Sequence, residues 1–90
     1  MVILETNQNA KSVVDTNTYI TYSVSREGES EVRSIHGYIF KDEKSVGFLW
    51  YDNTRASVQF SLNPDNGLDF SGKKLVFDTF MSDIEELINV

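Results

Sequence analysis

From Thr18 to Leu62 the chain is a series of extended segments, alternating between apolar and polar residues with a period of two most clearly in Thr18–Ser25 and Ala56–Leu62, and separated by short breaks of Gly, Asn, Asp or Glu. A period of two marks an extended backbone whose side chains point alternately to two faces. The length of the breaks then decides how such strands are joined. A parallel pair needs a crossover of a dozen or more residues, and none of these breaks is that long, so the strands must be antiparallel and joined as a meander. In the first strand Thr18, Ile20, Tyr22 and Val24 point one way and Tyr19, Thr21, Ser23 and Ser25 the other, with Glu27-Gly28 as a hairpin turn. The second runs over about Glu31–Lys41, where Asp42-Glu43 reverses it, and the third over Ser45–Asp52, with Asn53-Thr54 as its turn. The fourth, Ala56–Leu62, directs Ala56, Val58, Phe60 and Leu62 inward and Ser57, Gln59 and Ser61 outward.

The flanks are less regular. Val2–Glu5 reads as a short first strand, and Thr6–Thr18 as a polar loop around Val13-Val14, which makes residues 1–17 a short strand plus a mobile arm. After the meander, Asn63-Pro-Asp-Asn-Gly67 supplies a turn, since Pro64 cannot donate to a ladder and Gly67 accepts left-handed geometry. Phe77, Phe80, Met81, Ile84, Leu87 and Ile88 then fall at helical spacing. Ser82-Asp-Ile-Glu85 is a capping-box pattern, and Lys73 and Lys74 would oppose the dipole of a helix beginning beside them. These signals favour a strand near Lys74–Phe80 followed by a helix from Ser82, over one longer helix; Asp83–Ile88 is helical in both. The face bearing Phe80, Ile84 and Leu87 is expected to pack on the sheet. The predicted fold is α+β: one domain over residues 1–90, with a small antiparallel sheet of four to six strands and a C-terminal helix.

Composition narrows function more than it reveals it. Six Phe, four Tyr and one Trp in 90 residues supply a core and argue against disorder. Cysteine is absent, which removes disulfides and thiolate metal sites, and the apolar start of the chain ends at Glu5, too soon for a signal peptide. A cytoplasmic location is expected. Fourteen acidic side chains against eight basic ones give a net charge of −6, a surface that repels phosphate backbones and anionic membranes and suits basic partners.

Four motifs carry chemistry in other settings. Lys44-Ser-Val-Gly-Phe-Leu-Trp-Tyr51 is similar to the RNA-recognition signature in which ring faces on a sheet stack bases; Lys44, Gly47, Phe48, Leu49 and Tyr51 match it, whereas Ser45 and Val46 depart from it. The helix that such a fold needs between its first strands has no good counterpart in Thr6–Thr18. His36 is the single histidine, and a general base or metal ligand needs partners that the sequence does not place beside it. Asn63, Asp65 and Asp69 miss the spacing of a calcium loop, and no nucleophile elbow accompanies the serines. No catalytic group, cofactor or metal is expected.

The more informative feature is a surplus. Ile35 and Ile39 face one way, while Val32, Tyr38 and Phe40 face the other; Val46, Phe48 and Trp50 oppose Leu49 and Tyr51. A sheet with one wet face needs fewer apolar residues than this. The surplus points to a non-enzymatic protein-interaction module, with Tyr38, Phe40, Leu49 and Tyr51 as partner-binding residues and either a second copy or another protein as partner. A small acidic inhibitor of a basic partner belongs to this class. A single-stranded nucleic-acid-binding sheet, which the charge disfavours, and a small-molecule-binding domain are the alternatives.

Overall fold

Alternation becomes strand wherever one face can be buried. The computed structural model describes residues 2–3, 9–27 and 31–89, and in them the strands are β1 (Val2–Ile3), β2 (Asn9–Val13), β3 (Thr18–Glu27), β4 (Glu31–Lys41), β5 (Lys44–Asp52) and β6 (Ser57–Leu62). Every neighbouring pair is antiparallel and the spatial order follows the chain. β2 to β6 thus form a five-stranded meander, with the two residues of β1 paired onto β2. One helix, α1 (Phe70–Ile88), follows, giving the expected α+β fold.

Two sequence expectations need correction. Thr6–Thr18 is not all loop: Asn9–Val13 is a strand, with Ala10 opposite Tyr22 and Ser12 opposite Ile20. Its inward residues are small, and Ala10 and Ser12 are almost fully buried, so the period of two is present without large apolar side chains to announce it. The rest of the expected arm up to residue 8, and Gly28 of the first hairpin turn, lie outside the described residues.

The second correction concerns α1. The helix begins twelve residues before the expected start, and Ser82 is an exposed mid-helix residue rather than a cap. Asp69 takes that role, its Oδ1 accepting from the Gly72 amide at 2.7 Å. Lys73 ends the first turn and Lys74 opens the second, where the dipole disfavours them by at most a few tenths of a kcal/mol each. That penalty is small beside the burial of Val76, Phe80, Ile84 and Leu87 along one stripe, each worth roughly 1.5–3 kcal/mol. Lys74 also finds Asp78 one turn on, at 3.2 Å.

The turn at Asp42-Glu43 closes the β4–β5 hairpin with both residues at positive φ, 52° and 66°. This primed geometry matches strand twist but normally calls for Asn-Gly. A hydrogen bond from the Asp42 amide to the Asn17 carbonyl, 2.9 Å, helps to hold it.

Two β-bulges absorb part of the apolar surplus. Ile39 pairs with Gly47 and Phe40 with Ser45, so Val46 is the extra residue on β5 and turns into the core. Between β3 and β4, Ser25 pairs with Ser34 but Arg26 with Val32, which skips Arg33 and brings Val32 inward. Around them in the interior lie Ile20, Ile35, Ile39, Leu49, Val76, Phe80 and Leu87, each no more than 1% exposed. Gly47 is forced by contact rather than by torsion, because a Cβ there would collide with the Ser61 carbonyl on β6.

The described residues span 38 × 26 × 17 Å. The smallest dimension holds one sheet and one helix layer, and α1 occupies one side only. The other side of the sheet is covered by no described element. No described helix is long and apolar enough to cross a membrane.

Candidate functional site

The β4–β5 register determines which rings reach the uncovered side. Tyr38 lies opposite Phe48 and His36 opposite Trp50; on β6, Ser61 lies opposite Phe48 and Gln59 opposite Trp50. Opposed residues share a face, so these six side chains project together, away from α1. Tyr38 is 53% exposed and Phe48 44%, side by side. The His36 and Trp50 rings are 3.6 Å apart between centroids, tilted by 49°. Partial desolvation holds the His36 imidazole below its ordinary titration range. A shallow hollow of about 320 Å³ opens here, lined by His36, Gly37, Tyr38, Phe48, Leu49, Trp50 and Gln59.

The same face continues toward β2. Tyr19 stacks on Phe40 with centroids 5.1 Å apart and planes within 14°, and Lys11 Nζ sits 4.2 Å above the Tyr19 ring. A cation seated on an aromatic face is already one contact this surface makes.

The expected patch of Tyr38, Phe40, Leu49 and Tyr51 does not form. Tyr38 and Phe40 are on the open face, Phe40 half-buried under Tyr19. Leu49 is 1% exposed and belongs to the core. Tyr51 packs against that core, and its hydroxyl donates to Asn53 Oδ1 at 2.8 Å, while Asn53 Nδ2 donates to the Val32 carbonyl. The cause is the bulge at Val46. A two-residue turn without a bulge would place Leu49 and Tyr51 on the face of Tyr38, and one extra residue reverses every side chain beyond it. Phe48, Trp50, His36 and Gln59 therefore occupy the positions that sequence reasoning gave to others.

One other polar cluster is prominent. Asp83, on the buried stripe of α1, accepts hydrogen bonds at Oδ2 from Ser12 Oγ and from the Tyr22 hydroxyl, both at 2.6 Å. All three residues are at most 5% exposed. Burial, followed by the hydrogen bond to Asp83 and its charge, pushes the Tyr22 hydroxyl far above its ordinary range. The cluster joins the helix to β2 and β3 in the interior. Asp69 and Asn66, from the acidic and amide-rich stretch that misses calcium-loop spacing, are engaged in the helix cap and a turn, with Asn66 Oδ1 accepting from the Leu68 amide. Among the described residues no group of three His, Cys, Asp or Glu gathers as a metal site.

Comparison of the chain with protein-family models, with curated proteins and with solved structures finds no match in any of the three.

Proposed function

We propose that this chain is a non-enzymatic, cytoplasmic protein-interaction module that docks a basic partner protein on the ring-bearing face of its sheet. The observation that carries the reading is the pair Tyr38 and Phe48, large rings left substantially exposed beside Trp50 on the side opposite α1. Rings give much contact area for few frozen torsions, and such residues dominate binding energy at interfaces. Charge supports the class of partner. A net −6 steers basic surfaces toward the chain, and the rings of Tyr38, Phe48 and Trp50 around the hollow offer faces on which an arginine or lysine can lie.

Trp50 is the only tryptophan, so its emission reports directly on this face. Titration with an arginine–glycine peptide should give a saturable change. The double variant Tyr38→Ser, Phe48→Ser should weaken that change by roughly tenfold or more, with unaltered far-UV circular dichroism. A response that persists in the double variant, or none in the wild type, would overturn the reading. Saturable binding of oligothymidylate in place of the peptide would favour a nucleic-acid-binding sheet instead.

A further inference from the structure

β6 closes one side of the sheet, and its sequence does nothing to guard that edge. Exposed edges are ordinarily blunted by lysine, proline, a bulge or a covering element, because unpaired N–H and C=O groups recruit other strands. Ser57-Val58-Gln59-Phe60-Ser61-Leu62 contains no charge and no proline. It pairs with β5 in unbroken register from Asp52↔Ser57 to Gly47↔Leu62, so no bulge twists it away, and no described strand pairs with its outer side.

The helix adds an apolar strip beside this edge. Phe77 packs on Phe60 with ring centroids 5.4 Å apart. Phe70 and Met81 lie seven residues before and four after Phe77, on the same side of α1. Phe70 is 83% exposed, Met81 40%, Phe77 37% and, on the strand, Val58 39%.

We propose that β6 pairs antiparallel with β6 of a second copy about a two-fold axis perpendicular to the sheet, which makes one sheet continuous through a homodimer. Such a contact must be self-complementary, and antiparallel partners must share a face if both helices are to stay on the same side. Placing Phe60 opposite Phe60 of the second copy meets both conditions. Val58 then faces Leu62, and Gln59 faces Ser61, so apolar residues meet apolar ones under the helices and polar residues meet polar ones on the open face. The Phe77 and Met81 strips of the two copies come together above the Phe60 pair. The exposed apolar side chains named here amount to on the order of 400 Å² per copy. Complete burial of these side chains, with the strand edge itself, would bring the pair to the roughly 1,000–1,200 Å² at which specific interfaces begin. The net −6 of each copy opposes this only weakly, because β6 is uncharged and screening extends over about 8 Å at physiological salt. The aromatic face stays open in both copies.

Sedimentation equilibrium tests the proposal on the full chain. The wild type should approach twice its 10.3 kDa mass with rising concentration. Val58→Lys and Met81→Glu change exposed side chains, and each should weaken dimerisation at least tenfold while circular dichroism and Trp50 emission stay as in the wild type. Tyr38→Ser should leave the dimer intact. A wild type that remains monomeric at its highest soluble concentration overturns the proposal. So does a dimer that survives both edge variants, or one that Tyr38→Ser dissociates.

Discussion

Removing one hydroxyl from the interior should destabilise this domain more than most surface changes could. Tyr22→Phe deletes the donor to Asp83 Oδ2 and keeps the ring that stacks on Phe80, 6.4 Å away. Asp83 is then left with Ser12 as the one hydroxyl donor to that oxygen. A hydrogen bond to a charged group contributes about 1.5–3 kcal/mol, against a total of roughly 5–13 kcal/mol for a domain of this size. Asp83→Ala should cost more, about 3–5 kcal/mol, because it strands two buried hydroxyls and empties space on the helix stripe. Replacing the whole cluster (Ser12→Ala, Tyr22→Phe, Asp83→Leu) removes every polar group at once and should come within about 1 kcal/mol of the wild type. Urea unfolding followed by Trp50 emission gives the comparison, provided the slope m is unchanged between variants. If Tyr22→Phe costs under about 0.5 kcal/mol, or the triple variant is no more stable than Asp83→Ala, the cluster does not hold the helix as described.

The same hydroxyl predicts an alkaline effect. Its folded pKa is raised, so its contribution is complete below the ordinary value of 10.0 and is lost as pH rises beyond it, when only the unfolded chain releases the proton. The penalty of Tyr22→Phe should therefore shrink by about 1.4 kcal/mol per pH unit above pH 10, and a constant penalty would contradict the assignment. Ile84→Ala, on the same stripe, should lower stability by about 2–4 kcal/mol in urea unfolding; a loss under about half a kcal/mol would show a frayed helix. Glu43→Gly should stabilise by about 0.5–1 kcal/mol, because it relieves a non-glycine residue at φ 66°. An unchanged or lower melting temperature would show that the turn is not strained.

The parts of the fold that sequence makes legible are those where large apolar residues keep one period. β4 is readable to its ends because Ile35 and Ile39 mark one face of an extended run that stops at the Asp42-Glu43 turn. β2 is not, because Ala10 and Ser12 are buried by virtue of being small. The start of α1 is hidden by a conflict between local and tertiary signals. Ser82 and Glu85 imitate a cap, whereas the true cap, Asp69, precedes a glycine and two lysines, and burial of the stripe from Val76 to Leu87 outweighs those weak residues. For the binding face, alternation does identify a surplus of apolar side chains, but not its address. Val46 carries no mark of a bulge in its own identity, yet it exchanges Leu49 and Tyr51 for Phe48 and Trp50 on the open side. Tyr38 and Phe40, which precede the bulge on the partner strand, are the expected site residues that remain on that face.

The placement of binding on the open face can be tested by aromatic ¹H–¹³C NMR spectra recorded during titration with the arginine–glycine peptide. Tyr38, Phe48 and Trp50 share the uncovered side, whereas Tyr22, Tyr51 and Phe80 lie on the helix side or in the interior. Saturable shifts are expected at the first three rings, with Tyr22, Tyr51 and Phe80 unmoved. Shifts centred on Tyr51 and the α1 side, or none at Tyr38 and Phe48, would contradict that placement.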